Sequence, residues 1–113
     1  MTECLFCRIV AGEIPATVVH ETDEVLAFRD IAPQAPTHVV VIPKAHYVDA
    51  AALTDADPGL AGRLLAAGAA VAASEGLDDG YRFVFNTGAD GGQTVFHVHL
   101  HVLGGRSLAW PPG

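Results

Sequence analysis

The stretch "VFHVHLHVLGGR", residues 95–106, places three histidines at alternate positions of an otherwise apolar run. A period of two is typical of a β-strand, in which same-face neighbours lie ~6.8 Å apart. The histidines His97, His99 and His101 are therefore predicted to share one face of a strand. The other face is expected to pack through Phe96, Val98, Leu100 and Val102. Burying three imidazoles leaves several hydrogen-bonding groups in need of partners, so the run indicates a functional site.

Two functions of these histidines remain open from the residues alone. Neutral imidazole is a common metal ligand. Alternatively, one histidine is a nucleophile whose neighbours orient it and transfer protons. The preceding segment "NTGADGGQT" favours the second function, because Asn86 and Thr94 carry donors and glycines such as Gly92 let backbone N–H groups approach an anion. A plain turn between strands is the other interpretation of the glycine pair.

Composition limits the class of protein. The chain has 113 residues, 50% of them hydrophobic and 17% charged, which indicates one folded domain over residues 1–113. Thirteen acidic against six basic residues give a net charge of −7, the wrong sign for binding a nucleic-acid polymer. The longest apolar run, residues 64–73, is shorter than the ~18 residues that span a bilayer. No signal peptide is recognisable, so we expect a cytoplasmic protein without a membrane partner.

The remaining patterns predict an α+β fold with a mainly antiparallel sheet of about five strands. A short helix is expected over residues 3–11, with Gly12 as its stop signal. A long helix is predicted from the N-cap Asp57 to Gly76, and Gly68 inside it is expected to permit close packing against the sheet. Strands are predicted at 17–21, 24–30, 38–43, 81–86 and 94–103, the first two forming a hairpin.

Three blocks of sequence resemble the histidine-triad (HIT) superfamily. They are "DIAPQAPTHVVVIPKAH" at 30–46, "NTGADGGQTVFHVHLHVLGGR" at 86–106 and the terminal "WPPG". Their order is similar to that of the histidine-triad nucleotide-binding branch, the purine nucleoside phosphoramidases, from Ile14 to Gly113. The resemblance implies a HIT-like fold and a hydrolase that cleaves the P–N bond between a purine nucleoside monophosphate and an amine through a covalent nucleotidyl-histidine.

The resemblance also implies roles for single residues. His99 would be the nucleophile, His101 would bind phosphate and transfer a proton, and His38 would support His99. His97 would be either a member of this catalytic set or a structural residue. The implied substrate contacts are Asp30 and Ile31 for ribose and base, and Asn86, Gly92 and Thr94 for phosphate. Thr94 departs from the serine of the best-known members but keeps the hydroxyl.

Two alternative functions are weighed against the phosphoramidase. Hydrolysis of dinucleoside polyphosphates would use the same nucleophile, but the "WPPG" ending resembles the phosphoramidase branch. A nucleotide-binding interaction protein with incidental activity is the alternative from another class, and the complete set of catalytic residues counts against it.

The pair Cys4 and Cys7 forms a C-x-x-C motif, which in a reduced compartment is typical of metal binding or thiol redox chemistry. The chain lacks a thioredoxin-like context, and a structural zinc site needs two further ligands. Histidine-triad proteins that begin with such a pair can carry this zinc, with ligands that match His46 and His97. Two ordinary helix cysteines without a metal are the alternative.

A homodimer is expected for three reasons. The sheet would leave open edges that a partner can cover. The predicted helix from Asp57 to Gly76 has Ala and Gly on more than one face and lacks a clear polar face. Trp110, the only tryptophan, lies near the chain end and is followed by two prolines that stiffen it. The resemblance implies a two-fold dimer in which this segment reaches towards the partner's active site. The alternative is that Trp110 folds back on its own subunit.

Overall fold

The chain folds into an α+β arrangement centred on one antiparallel sheet. The computed structural model describes residues 3–113. The helices are α1 (Leu5–Val10), α2 (Ala50–Ala56) and α3 (Pro58–Ser74). The strands are β1 (Val18–Glu21), β2 (Val25–Arg29), β3 (Thr37–Pro43), β4 (Tyr81–Val84) and β5 (Leu100–Gly104), in the order β1-β2-β3-β5-β4. The predicted fold class, with five strands, one long helix and a short N-terminal helix, is confirmed.

Alternating side chains give the sheet two buried faces. The face towards α2 and α3 buries the larger cluster, which includes Val39, Val41, Leu64, Val71, Leu100 and Val102. The opposite face lies under α1 and buries Phe6, Leu26, Phe28, Val40 and Ile42. His38 lies two residues before Val40, and His101 pairs with Val40 across the sheet, so both belong to the α1 face.

The long helix α3 follows its predicted signals. Asp57 caps it, because its Oδ1 accepts a hydrogen bond from the Leu60 N–H at 3.0 Å, and Pro58 occupies the first turn. Gly76 follows the helix with a φ of +71°. A Cβ on Gly68 would lie 2.7 Å from Leu100 Cδ2, so the expected close packing against the sheet is present. Within residues 3–113, no helix is both long and apolar enough to cross a membrane.

Helix α2 was not predicted. Its N-cap is Asp49, whose Oδ1 accepts a hydrogen bond from the Ala52 N–H at 2.9 Å, and its buried residue is Leu53. A seven-residue helix has weak intrinsic stability and depends on packing against the core.

The predicted strand at 94–103 joins the sheet only from Leu100 onwards. β5 pairs with β3 up to Leu100 opposite Val41, so the same register would place Val98 opposite Pro43. Proline has no N–H for the ladder, and the Val98 N–H instead donates to the Tyr47 carbonyl at 2.7 Å. The expectation that Phe96 packs in the core is wrong, since its side chain is 53% exposed.

Candidate functional site

The histidines of the "HVHLH" run lie on the α1 face and divide into two groups by their contacts. We call His38, His99 and His101 the triple-histidine cluster; the ring centroids of His99 and His101 are 4.8 Å apart, and those of His38 and His101 are 5.1 Å apart. The second group, which we call the cysteine–histidine cluster, consists of Cys4, Cys7, His46 and His97.

The hydrogen bond of His99 defines which of its nitrogens is available. Its Nδ1 lies 2.8 Å from the His97 carbonyl oxygen. A carbonyl only accepts, so Nδ1 carries the proton and the neutral ring keeps a lone pair on Nε2. The ring is buried, and burial lowers the pKa of His99 against the opposing effects of this hydrogen bond and of the Asp30 charge. His99 is therefore a neutral imidazole with an unprotonated Nε2.

His38 and His101 are linked by a second chain of hydrogen bonds. The Gln34 N–H donates to His38 Nδ1 at 3.0 Å, so a neutral His38 carries its proton on Nε2. That Nε2 donates to His101 Nδ1 at 2.8 Å, which leaves the proton of a neutral His101 on its own Nε2. Burial lowers the pKa of His38 and, with the charges of His99 and His38, lowers the pKa of His101 to about 4.

The triple-histidine cluster therefore combines two complementary groups at neutral pH. His99 has an Nε2 lone pair that can attack an electrophile, and His101 has an Nε2–H that can donate a hydrogen bond to a leaving group. The hydrogen bond of His38 goes to His101, so the predicted support of His99 by His38 would run through that residue.

Asp30 lies beside this cluster. Its Oδ1 accepts a hydrogen bond from the Ala32 N–H at 2.8 Å, and its Oδ2 lies 3.5 Å from His38 Nε2. Ligand atoms of Asp30, His38 and His101 lie within 4.8 Å of one another, but the bond between the two imidazoles already uses both of their facing nitrogens.

A cleft of about 630 Å³ opens between α1 and the end of β2. Three of the predicted substrate-binding residues, Asp30, Ile31 and Thr94, line it, and Ile31 is fully exposed. Most of the remaining lining is apolar and includes Leu5, Phe6, Ile9, Ile14, Phe28 and Val40. Sequence reasoning missed Phe6, although its position two residues after Cys4 on a short helix was a usable signal. Its ring lies edge-on to His99, with centroids 5.0 Å apart.

The loop between β4 and the histidine segment is held by a buried glutamine that sequence reasoning also missed. Gln93 Oε1 accepts from the Gly88 N–H at 2.9 Å, and its Nε2 donates to the Val48 carbonyl at 2.7 Å. Gly92 has a φ of +84°, a conformation that favours glycine. Asn86 and Gly92 border this loop without lining the cleft, whereas the adjoining Thr94 does line it.

Trp110 lies outside the cleft and is 81% exposed. The segment before it is attached to β4, because Arg82 Nη2 donates to the Ala109 carbonyl at 2.8 Å. The alternative that Trp110 buries its ring on its own subunit therefore does not describe this structure.

The cysteine–histidine cluster has distances that suit a tetrahedral zinc site. The His97 Nδ1 lies 3.3 Å from Cys4 Sγ, 3.5 Å from Cys7 Sγ and 3.2 Å from His46 Nδ1. Zinc–sulfur and zinc–nitrogen bonds of ordinary length require ligand-to-ligand distances of about 3.3–3.8 Å in a tetrahedron. Two cysteines and two histidines are also a typical closed structural set, so this cluster could hold zinc.

The orientation of His97 fits the same role. Its Nε2 lies 2.8 Å from the Pro43 carbonyl oxygen, so Nε2 carries the proton and Nδ1 keeps its lone pair for the cluster. The side chain is fully buried, and burial lowers the pKa of His97, which favours the neutral form that ligates metals.

Comparisons with known proteins agree with this geometry. The chain is 50% identical over 111 residues to a 14 kDa zinc-binding protein of Zea mays, covering 96% of this chain and 87% of that protein. The crystal structure of a HIT family hydrolase from Legionella pneumophila is 54% identical with a TM-score of 0.94, covering 98% of this chain and 100% of that one. A histidine triad nucleotide-binding protein from Candida albicans is 31% identical with a TM-score of 0.83, covering 96% and 83%.

The family match covers the whole triple-histidine cluster but only the histidines of the cysteine–histidine cluster. Residues 11–108 match the HIT domain, a range that contains all the clustered histidines and excludes both cysteines and Trp110. With the fold, the triple-histidine cluster and this match over most of its length, the chain belongs to the HIT domain family.

Proposed function

We propose that this protein hydrolyses purine nucleoside phosphoramidates, with His99 as the nucleophile. The observation that carries the proposal is the hydrogen-bond arrangement that leaves His99 Nε2 unprotonated beside a protonated His101 Nε2. The neighbouring structures named as a HIT family hydrolase and a histidine triad nucleotide-binding protein support a hydrolase that acts on nucleotides.

The reaction would proceed in two displacements at phosphorus. The His99 Nε2 lone pair forms a bond to the α-phosphorus while the P–N bond breaks. The leaving amine takes the His101 Nε2 proton, and a proton from solvent replaces it so that His101 stays neutral. Water then attacks the phosphorus of the nucleotidyl-histidine. One proton of that water passes through His101 to solvent, the hydroxyl stays on phosphorus, and a nucleoside monophosphate leaves as His99 is restored.

The cleft under α1 would bind the nucleoside. A volume of about 630 Å³ lies within the range of small-molecule sites, and the apolar lining suits a purine ring beside Ile31. The carboxylate of Asp30 would accept hydrogen bonds from the ribose hydroxyls. The phosphate would lie at the other end, in contact with Thr94 and with the loop that carries Asn86 and Gly92.

We further propose that Cys4, Cys7, His46 and His97 hold one structural zinc ion. The donor set and distances support this, as does the name of the Zea mays relative. Four protein ligands close the site, so zinc would supply stability and not a reactive position. Zinc ligation would need cysteines that are not oxidised, in agreement with a cytoplasmic location, which we also propose, together with a single HIT domain over residues 1–113.

We also propose a homodimer. Leu65 and Tyr81 are exposed apolar side chains on α3 and on the edge strand β4, and Trp110 follows a segment attached to β4. A partner covering the β4 edge would bury Tyr81 and Trp110 and would protect the edge strand from other chains.

The decisive test is to incubate purified protein with adenosine phosphoramidate and to measure released AMP. The proposal expects AMP release that is much faster than hydrolysis of a dinucleoside polyphosphate by the same sample. Preference for the polyphosphate would favour the other hydrolase, and AMP binding without turnover of either compound would favour a binding protein.

A further inference from the structure

His97 belongs to both halves of the site. Its Nδ1 points to the thiols and to His46, while its backbone carbonyl oxygen accepts the hydrogen bond from His99 Nδ1. The side chain of His97 would thus ligate an ion, and its main-chain carbonyl defines the tautomer of His99. Any displacement of the His97 backbone changes the one contact that keeps the His99 Nε2 unprotonated.

Phe6 makes a second connection between the two clusters. It lies between Cys4 and Cys7 in sequence, and its ring is edge-on to both His97 and His99, with centroid distances of 6.0 and 5.0 Å. The same ring packs against Phe28 at 5.5 Å and lines the cleft. Phe6 therefore connects the segment that carries both cysteines to the ring of His99.

Helix α1 packs on the sheet through Phe6, with Ile9 and Val10 partly buried beside it. It contains six residues, of which only Phe6 is buried, and an isolated helix of this length is not stable. Cys4 caps the helix by accepting a hydrogen bond from the Cys7 N–H at 3.3 Å. One ion bound by the two sulfurs together with His46 and His97 would attach the N-terminal half of this short helix to the rest of the chain.

We propose that the cysteine–histidine cluster positions the His99 nucleophile, acting through the backbone of His97 and the ring of Phe6. An ion bound to the cluster then affects the rate of the chemical step as well as stability. This inference rests on the proposed role of His99 and on the proposed zinc site. Phe6 and the two cysteines are positioning residues, since they act on the reaction through His99.

The test measures the tautomer of His99 directly. Long-range proton–nitrogen NMR spectra of ¹⁵N-histidine-labelled protein distinguish a protonated Nδ1 from a protonated Nε2. We expect one tautomer, with the proton on Nδ1, in zinc-loaded wild-type protein. After removal of zinc by a chelator, or in Cys7→Ser, we expect a mixture of tautomers, and addition of zinc alone should restore the single form in the wild type.

A pair of phenylalanine variants separates positioning from folding. In zinc-loaded Phe6→Leu, we expect the mixed tautomer and a fall in kcat of between about 10-fold and 100-fold, the size of effect that a small misplacement produces. The matched control is Phe96→Leu, an exposed phenylalanine next to His97, which should keep the single tautomer and change kcat by less than about twofold.

The results distinguish failure of this inference from failure of the proposed function. A single unchanged tautomer with unchanged kcat, in folded zinc-free protein and in Phe6→Leu, would overturn the inference. If zinc-free protein unfolds, the Phe6→Leu result alone decides, because that variant keeps all four ligands. If wild-type protein hydrolyses no phosphoramidate, the proposed function fails, and an unchanged His99 tautomer would still overturn the positioning role independently.

Discussion

His97 and His99 are two residues apart and both buried, yet their rings use opposite nitrogens. His97 donates from Nε2 to the Pro43 carbonyl and keeps Nδ1 for the thiols, whereas His99 donates from Nδ1 to the His97 carbonyl and keeps Nε2. The two tautomers differ because each ring donates to a different backbone carbonyl. Identical side chains on one face are thereby divided into a metal ligand and a nucleophile in our proposal.

The two clusters also differ in how their residues are held. His38 and His101 lie on paired strands of the sheet, so the backbone ladder holds their spacing. The cysteines lie on a short helix that buries one residue, and His46 lies in the loop after β3. His38 and His101 should therefore tolerate changes that the cysteine–histidine cluster does not, and the following predictions test the two clusters in turn.

The largest effect is expected from His99→Ala, which removes the attacking nitrogen. Turnover of adenosine phosphoramidate should fall by several orders of magnitude, while folding and AMP binding stay close to those of the wild type. Steady-state kinetics and calorimetric titration with AMP measure the two properties. Retention of more than about a tenth of the activity, or a trapped nucleotide mapped by mass spectrometry to His97 or His101, would contradict the assignment.

The next largest effect is expected from His101→Gln, which removes the proposed proton donor but keeps a group that can accept from His38 Nε2. Loss of a general acid costs about 10²–10⁴-fold in rate. The loss should be large for an alkylamine leaving group and small for a leaving group that needs no proton, such as a nitrophenolate. Equal losses for both substrates would show that His101 does not donate the proton.

The cysteine–histidine cluster is tested by metal content. Wild-type protein purified without chelator should contain close to one zinc ion per chain, and Cys4→Ser/Cys7→Ser should lose nearly all of it, since serine is a poor zinc ligand. Elemental analysis measures the content. The double variant should also unfold at a lower temperature than the wild type. Equal zinc in both proteins would mean that the metal lies elsewhere.

A smaller effect is expected in the dependence of stability on pH. Burial and the charges of His99 and His38 lower the pKa of His101 from 6.5 to about 4, opposed by Asp30. Above pH 6.5 neither the folded nor the unfolded state binds this proton. Between pH 6.5 and 4 only the unfolded state binds it, so the free energy of unfolding falls as the pH falls.

The same residue allows a matched measurement. Between pH 7 and 5, zinc-loaded wild-type protein should lose on the order of 1–2 kcal/mol more stability than zinc-loaded His101→Gln. Urea unfolding of both proteins at the two pH values measures the difference. Protons on the other histidines and on zinc ligands change the stability of both proteins, so the comparison isolates His101. Identical pH dependence in the two proteins would contradict the lowered pKa of His101.

The smallest effect is expected from the terminal segment, which contacts neither cluster in the chain itself. Light scattering at micromolar concentration should give about twice the chain mass. Deletion of residues 107–113 should change the preference among leaving amines more than it changes stability. A monomeric mass would reject the dimer, and an unchanged preference would reject the role proposed for Trp110.

Much of the fold could be predicted from local signals. Asp57 and Pro58 begin α3 where the sequence placed them, and Gly68 has the close contact with the sheet that its position suggested. Helix α2 was missed because its stability comes from burying Leu53 rather than from its own length. The strand end at Leu100 was missed because it depends on Pro43, a residue of another strand.

The sequence by itself determined which side chains are available and which share a face, because strand periodicity is a property of the local backbone. It placed three imidazoles in alternation and supplied two cysteines three residues apart. Only the tertiary structure decided how they are divided. The Pro43 carbonyl that orients His97 lies 54 residues earlier, and Cys4 lies 93 residues away. A histidine takes its tautomer from its hydrogen-bond partner, and here that partner is set by packing between distant segments.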